Sequence, residues 1–303
     1  MRIAVIGDGF VASAHARNLR RNGIPIAVVC GEELAKARAF AAAYDCAEAV
    51  TDLSAALSQA EAAIIATPSS LHGEQARAAI ARGLSVLVEL PACASFSEAR
   101  ELEAAALQAK VVLQCCHTSL YMKPNQLIGE WIRSGRLGDI MQVNYFRSVN
   151  LKPRRWIDDA LWHHGGHPID LLHRWFGPVS ALACAPFPNP HLPQDVSFMV
   201  RLPSGAPAAV ALSYTAKWLT SRMTIAGTRH AINTDGYGLI ESDDPALAWQ
   251  GDADATFDQA IGDQDLAFLH CCETGAGGVP WAETLRQLAA LEALRQLGNG
   301  PVR

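Results

Sequence analysis

Short apolar runs alternate with longer, helix-patterned segments over roughly the first 116 residues. Apolar runs of about five residues, bounded by turn residues and separated by helices, are typical of parallel strands covered on both faces. The predicted strands are residues 2–6, 24–30, 61–67, 85–89 and 111–116, and the predicted helices are 13–22, 34–44, 71–82 and 96–109. The pattern predicts a doubly wound α/β domain over residues 1–117.

The pattern changes beyond residue 117. Helices are predicted at 125–134, 162–175 and 281–296, and alternating, β-prone stretches at 139–147, 195–202, 208–216 and 222–226. Strands joined by short turns indicate an antiparallel sheet, so residues 118–303 are expected to form an α+β domain. The acidic, poorly patterned residues 252–265 are expected to be a mobile surface loop.

A glycine-rich loop follows the first predicted strand, with the sequence Gly7-Asp8-Gly9-Phe10-Val11-Ala12. Such a motif is a weak signal alone, but here it links a buried strand to a helix, as in dinucleotide-binding domains. Gly7 permits the tight turn, Gly9 lets backbone N–H groups approach a pyrophosphate, and Ala12 allows close helix–strand packing. The loop therefore predicts a Rossmann domain that binds a dinucleotide.

The residue at the tip of the second strand usually meets the adenosine ribose. Here the tip reads Cys30-Gly31-Glu32-Glu33, and Gly31 occupies the position of the usual aspartate. Glu32 or Glu33 would then bind the 2′-hydroxyl, and their charges would repel a 2′-phosphate. This favours NAD over NADP as the cofactor. The alternative is that both glutamates only begin the next helix.

Composition narrows the classes of protein that the chain can belong to. Half of the 303 residues are apolar, and the formal net charge is -5. These values give no electrostatic reason to expect binding to nucleic acid or to an anionic membrane. The eight cysteines include no Cys-x-x-Cys motif, and we see no signal peptide, so we expect reduced thiols and a cytoplasmic protein.

Several stretches together resemble the glucose-fructose oxidoreductase / inositol dehydrogenase (Gfo/Idh/MocA) family. They are the glycine loop with His15, the stretches 65–68 with His72, 88–91 and 135–138, and Gly166-His167-Pro168-Ile169-Asp170 leading to Trp175. The resemblance implies a second domain with a large open sheet, often used for oligomerisation, and hence a homodimer or homotetramer. It also implies cofactor contacts from Thr67, Pro68, His72 and Glu89.

The chain departs from the pattern of this family at three places. Leu90 stands where most members have a lysine that assists proton transfer, and His163 stands where most have aspartate. Ser119 and Leu120 replace two arginines found in one relative within the family, where they would be natural carboxylate clamps. Their absence predicts a less acidic substrate.

Histidines are the candidate bases, because oxidation of a hydroxyl-bearing carbon requires a group that takes the hydroxyl proton. His163 and His167 are four residues apart and would share one helix face, whereas His164 would point elsewhere as a structural residue. We expect His163 or His167 to be the base, supported by Asp170 and by His117 at the end of the last Rossmann strand.

Two further residues are candidates for contact with a small-molecule substrate. Arg154 is the best candidate for binding a carboxylate, because Trp156 and the histidines follow it. Trp162 could form a wall of the pocket, although tryptophan more often belongs to the core.

The leading hypothesis is an NAD(P)-dependent dehydrogenase, with NAD favoured, acting on a cyclic hemiacetal, a sugar-like alcohol or a hydroxy acid. Two alternatives remain: a cofactor-binding regulatory or scaffold protein, and a non-redox hydrolase with tightly held NAD. A zinc site built on the histidines is disfavoured, because the glutamate of His-Glu-x-x-His is missing, and no metal is expected.

Overall fold

The computed structural model describes residues 1–149, 159–189 and 192–299. The chain forms two compact units, one made of Met1–His117 and Ile261–Leu285, the other of Thr118–Ala260 and the residues from Arg286 onward. The sequence pattern predicts that residues 118–303 form one domain. In the structure, the segment Ile261–Leu285 belongs to the first unit instead.

A six-stranded sheet forms the centre of the first unit, with strand order β3-β2-β1-β4-β5-β6 and parallel pairing throughout the described ladders. The strands are β1 (Ile3–Ile6), β2 (Ile26–Cys30), β3 (Glu48–Val50), β4 (Ala62–Ile65), β5 (Ser85–Val88) and β6 (Leu113–Cys115). The helices are α1 (Phe10–Arg21), α2 (Leu34–Tyr44), α3 (Leu53–Leu57), α4 (His72–Ile80) and α5 (Phe96–Ala109). The predicted doubly wound domain is confirmed, and within residues 1–117 the short β3 and α3 were missed.

The central strands are buried on both faces. All four residues of β1 and all four of β4 are buried, so both faces of the sheet are covered, as the continuous apolar runs predict. Part of this cover comes from helix α9 (Ala253–Thr274), whose Phe268 and Leu269 pack in one cluster with Ile3 and Val5. The far end of the chain thus completes the core of the first unit.

The expectation of a mobile loop at 252–265 was wrong, because these residues begin α9. Ile261, Asp265 and Phe268 are all buried and recur at helical spacing. Asp265 occupies one of the buried positions and interrupts the apolar pattern, so the helix was not predicted from the sequence.

An eight-stranded sheet forms the second unit, with strand order β14-β13-β12-β11-β7-β10-β9-β8. The strands are β7 (Ile140–Ser148), β8 (Ser180–Phe187), β9 (Asp195–Arg201), β10 (Pro207–Ser213), β11 (Thr220–Gly227), β12 (Ala231–Thr234), β13 (Leu239–Ser242) and β14 (Trp249–Gln250). Among the described ladders, only the pair β7 and β10 is parallel. The prediction of an α+β domain with a mainly antiparallel sheet is confirmed.

The second unit also contains the helices α6 (Lys123–Arg133), α7 (Ala160–His164), α8 (Gly166–Phe176) and most of α10 (Trp281–Gly298). α7 packs against β9 and β10. The predicted helix at 162–175 is two helices in the structure, α7 and α8, which meet at Gly165. A Cβ at Gly165 would lie 2.3 Å from the carbonyl oxygen of Leu161 and 3.1 Å from Leu291. Glycine is needed there to let these elements pack closely.

We expect Phe268→Ala to lower the free energy of unfolding by about 3–5 kcal/mol, because it removes a fully buried ring from the first unit's core. Leu266→Ala, on the same helix but with 38% of its surface exposed, should cost less than about 1 kcal/mol. Urea unfolding followed by circular dichroism measures both. Equal effects of the two substitutions would contradict the place of α9 in this core.

Candidate active site

The glycine loop lies between β1 and α1 and adopts a conformation that requires glycine at its first position. Gly7 has φ +114°, and a Cβ there would lie 2.5 Å from the carbonyl oxygen of Ala66. The Gly7 N–H donates to the carbonyl of Cys30 at 2.8 Å, which ties the loop to the end of β2. The turn is therefore fixed by close backbone approach to both neighbouring strands.

The start of α1 is open to an anion. Gly9 is the N-cap and has no side chain to cap the first N–H groups, and a Cβ at Gly9 would meet none of the described residues within 4 Å. Phe10 is exposed and Val11 is half-buried, whereas Ala12 is fully buried and allows α1 to pack closely on the sheet. Free N–H groups at the positive end of a helix fit the pyrophosphate of a dinucleotide.

The loops that follow β4 and β5 are linked by His72. Its Nδ1 lies 2.8 Å from the carbonyl oxygen of Pro91, and its Nε2 lies 2.8 Å from that of Thr67. A carbonyl oxygen only accepts hydrogen bonds, so the ring nitrogen is the donor in each contact. The buried His72 thus holds the segment of Thr67 and Pro68 close to Pro91. The contact of Thr67, Pro68 and His72 with the cofactor stays a prediction.

A buried ionic cluster lies at the end of β5. Nδ1 of His15 is 2.7 Å from a carboxylate oxygen of Asp265 on α9, and Nε2 is 3.0 Å from Glu89. His15 and Asp265 are almost fully buried, and the side chain of Glu89 retains 17% exposure. One imidazole therefore joins a carboxylate of the interior to a carboxylate that reaches the surface.

The pKa values of this cluster follow from burial and charge together. Burial alone would lower the pKa of His15, but the charge and hydrogen bond of Asp265, with those of Glu89, raise it to about 10. Burial also favours the neutral acid at Glu89, yet the hydrogen bond and charge of His15 outweigh it and lower the pKa of Glu89. Burial raises the pKa of Asp265 against the attraction of His15. We conclude that His15 is an imidazolium at neutral pH.

His15, Glu89 and Cys116 have potential ligand atoms within 4.8 Å of one another, the one such group among the described residues. Both ring nitrogens of His15 already bond to carboxylates. Burial and the charge of Glu89 hold the pKa of the Cys116 thiol well above its ordinary value, whereas a metal needs the thiolate. The donor set fits an ion cluster better than a metal centre.

The second unit contains a cluster of three histidines and a tyrosine. Nδ1 of His163 lies 3.0 Å from the hydroxyl of Tyr214, and Nδ1 of His167 lies 3.1 Å from the hydroxyl of Ser119. The ring centre of His164 is 4.6 Å from that of His163 and 5.8 Å from that of His167. Both outer histidines are half-buried, so each ring is oriented by a hydroxyl and retains some access to solvent.

The structure changes two expectations about these histidines. His163 and His167 belong to different helices, since α7 ends before Gly165, so the argument from a shared helix face does not apply. His164 does not point away but is buried within the same cluster, 5.1 Å from the ring of Tyr214. Tyr214 was not predicted to belong to the site, and Ser119 was predicted only as the replacement of an arginine. Both are distant in sequence from the histidines.

Asp170 is buried behind this cluster on α8. Its Oδ1 accepts a hydrogen bond of 2.7 Å from Nε2 of Gln287, which also lies 3.2 Å from the carbonyl of Gly166. This contact holds the start of α8 against α10. A role of Asp170 in orienting His167 or in holding a substrate stays a prediction.

The remaining candidates have less access than expected. His117 is fully buried, with Nε2 2.9 Å from the hydroxyl of Thr284, and this burial favours packing over its predicted catalytic support. Trp162 is 4% exposed and stacks under Arg295, whose Cζ lies 4.3 Å from the ring centre, so it forms core. Arg154 lies outside the described residues. Leu90 is buried and offers no titratable group.

Comparison with known proteins identifies the class. The profile of the oxidoreductase family with an NAD-binding Rossmann fold matches residues 1–117, and the GFO/IDH/MocA C-terminal domain matches residues 125–233. The chain belongs to the GFO/IDH/MocA family of oxidoreductases. The predicted family and NAD as cofactor are confirmed, while the individual cofactor contacts stay predictions.

Two curated relatives and one solved structure illustrate the similarity. The 4-carboxy-2-hydroxymuconate-6-semialdehyde dehydrogenase of Sphingobium sp. is 30% identical over 228 residues, which are 71% of this chain and 72% of that protein. The inositol 2-dehydrogenase of Pseudarthrobacter chlorophenolicus is 26% identical over 279 residues, 86% of this chain and 81% of that protein.

An oxidoreductase from Agrobacterium radiobacter in complex with NAD+, L-tartaric acid and magnesium has the same fold. Its TM-score is 0.84 at 18% identity, over 100% of this chain and 97% of that one. In the part of this chain that the structure describes, no helix has the length and apolar character needed to cross a membrane.

The ion pair of His15 and Asp265 predicts a loss of stability at high pH. Folded His15 keeps its proton up to a pKa of about 10, while the unfolded histidine loses it near 6.5, so the contribution is complete below pH 6.5 and is lost as the pH rises toward 10. Between about pH 6.5 and 9.5, the wild type should lose about 2 kcal/mol or more beyond the loss of the double variant His15→Gln/Asp265→Asn. Urea unfolding at both pH values tests this, and parallel losses would contradict it.

Proposed function

We propose that this chain is an NAD-dependent dehydrogenase that oxidises a hydroxyl-bearing carbon of a cyclic hemiacetal, a sugar-like alcohol or a hydroxy acid. The observation that carries the proposal is the pair of half-buried histidines, His163 and His167, each with one ring nitrogen held by a hydroxyl. Histidine is the side chain used most often as a general base. The two curated relatives are dehydrogenases by name, which supports the reaction class.

The cofactor would be held by the glycine loop and the loops after β4 and β5. Gly7, Gly9 and the first N–H groups of α1 would meet the pyrophosphate, and the segment around Thr67 would border the nicotinamide half. Bound NAD supplies the acceptor for the hydride that leaves the substrate carbon. Glu89, fixed by His15, would place a negative charge at the carboxyl edge of the sheet, where ligands bind.

His167 and His163 are both candidates for the base. The Ser119 hydroxyl lies 3.1 Å from Nδ1 of His167 and would orient that ring to take the substrate's hydroxyl proton. The Tyr214 hydroxyl lies 3.0 Å from Nδ1 of His163 and would orient that ring toward the substrate oxygen. In this arrangement one histidine removes the proton and the other orients the oxygen.

Leu90 offers no base at the position where most members of the family have lysine. A buried leucine can neither accept nor relay a proton, so another residue has to be the base, and the two histidines are the candidates. The same feature keeps the alternatives of a regulatory protein and of a non-redox hydrolase open. A chain that binds NAD but changes absorbance at 340 nm with no substrate of the three classes would favour one of them.

Substitution of the base should reduce turnover without loss of cofactor. His167→Ala should lower kcat about 10²–10⁴-fold, the usual contribution of a general base, with an unchanged Kd for NAD. His230→Ala, which removes a histidine paired with Asp243 outside this cluster, is the matched control and should keep wild-type kcat. Absorbance at 340 nm with aldoses, polyols and hydroxy acids measures the rate. If His163→Ala and His167→Ala both retain full turnover, the assignment is wrong.

We further propose that a second copy of the chain covers the open face of the eight-stranded sheet. Large apolar side chains are exposed there, among them Phe146 at 44% and Met199 at 40%. A shallow depression of about 560 Å³ lies between β7, β8, β9, β10 and β11. Apolar surface of this kind marks an interaction site, and a homodimer or homotetramer would bury it.

Charge on this face should dissociate the assembly. We expect the wild type to sediment as a dimer or tetramer and Phe146→Lys to shift it to monomer, because an ammonium group would be buried in an apolar interface. Leu107→Lys, at an exposed apolar position of α5 in the first unit, is the control and should leave the assembly unchanged. A monomeric wild type in sedimentation velocity would overturn the proposal.

The cytoplasm remains the proposed location of the protein. All eight cysteines carry free thiols, as expected for a reducing compartment.

A further inference from the structure

The tip of β2 has a glycine where a dinucleotide-binding fold usually has its acidic residue. Gly31 follows Cys30 directly, is buried, and donates its N–H to the carbonyl of Val50 at 3.1 Å. Its φ lies outside the left-handed region, so the backbone conformation does not require glycine there. The reason for glycine at this position is therefore that a side chain would have no room.

Asp8 occupies that space. A Cβ at Gly31 would lie 2.4 Å from Oδ2 and 3.0 Å from Cγ of Asp8. Oδ2 is buried, and no residue that the structure describes donates a hydrogen bond to it. A buried carboxylate oxygen without a donor is costly, so a ligand that supplies a donor here gains the full benefit of the bond.

The position of this oxygen matches one group of the cofactor. In this fold the pyrophosphate lies on the glycine loop, and the adenosine ribose lies at the tip of the second strand. Asp8 is part of the glycine loop and its carboxylate lies against that tip. We propose that Asp8 accepts the hydrogen bond of the ribose 2′-hydroxyl, in place of the residue missing at Gly31, and thereby selects NAD against NADP.

The charges around the tip support selection against a phosphate. Burial and the negative charges of Asp52 and Asp8 raise the pKa of the Cys30 thiol. The nearby cation Lys36 bonds to Glu33 at 2.7 Å, with both side chains largely exposed. A 2′-phosphate would therefore meet the carboxylate of Asp8 directly, and the lysine that could offset the repulsion is held by Glu33.

This assignment revises the expectation for the two glutamates. Glu32 and Glu33 are exposed and lie at the start of α2, and Glu33 is the N-cap residue. We assign to Asp8 the ribose contact that was expected of Glu32. The inference rests on NAD binding alone, so it stands or falls independently of the proposed base and substrate.

The first test varies the ligand and leaves the protein unchanged. Isothermal titration of the wild-type protein should give a Kd for 2′-deoxy-NAD about tenfold or more above that for NAD, as expected for the loss of one charge-assisted hydrogen bond. Asp8→Asn should bind NAD more weakly, and the ratio of the two Kd values should shrink toward one. Equal affinity of the wild type for NAD and 2′-deoxy-NAD would overturn the proposal without any variant.

The second test concerns NADP. Asp8→Asn should lower the ratio of the Kd for NADP to the Kd for NAD by about tenfold or more, whereas Glu48→Gln, the same change of charge at an exposed position of β3, should leave it unaltered. The exchange Asp8→Gly/Gly31→Asp should restore the preference for NAD, because it returns an acid to the strand tip. A ratio that moves with Glu32→Gln and not with Asp8→Asn would assign the selection to Glu32 and refute the inference.

Discussion

The hydrogen-bonded ion pair of His15 and Asp265 joins residues 250 positions apart and ties helix α1 to helix α9 in the first unit. His15 is on α1, the helix that the glycine loop begins, and Asp265 is on α9, which covers the sheet. The other nitrogen of the same ring holds Glu89 at the end of β5. A buried pair of this kind has a large desolvation cost, and it is retained only where geometry and further hydrogen bonds offset that cost. Here both ring nitrogens bond to carboxylates, so the position of the loop, the covering helix and the ligand edge depend on one imidazolium.

The fold was largely predictable because its signals are local. The buried runs of the first sheet, the glycine loop and the alternating strands of the second sheet each depend on residues within a few positions of one another. α9 was missed because its buried stripe contains Asp265, a charged residue whose burial makes sense only once its distant partner His15 is known. A sequence pattern cannot assign a charged residue to a core without that partner.

The candidate site was predictable in part. The histidines of 163–167 were identified by residue type and by family resemblance, but their geometry was not, because Gly165 divides the helix on which the spacing argument relied. Tyr214 and Ser119 orient the two rings from segments far away in the chain. Asp8 was overlooked for a different reason: motif reasoning treats the residue between the first two glycines as variable, and only the space left by Gly31 shows what its side chain does.

The division of the first unit along the chain also has a consequence for biosynthesis. Domains generally fold as units while the chain emerges from the ribosome, the N-terminal one first. This N-terminal unit lacks Phe268 and the partner of His15 until α9 has been made, although its sheet is complete by residue 115. While roughly half of the chain is being made, this unit therefore lacks the apolar side chains of α9 that cover its sheet and the carboxylate that pairs with His15. Chaperones that bind exposed apolar surface would have access to this sheet until α9 has been made and covers it.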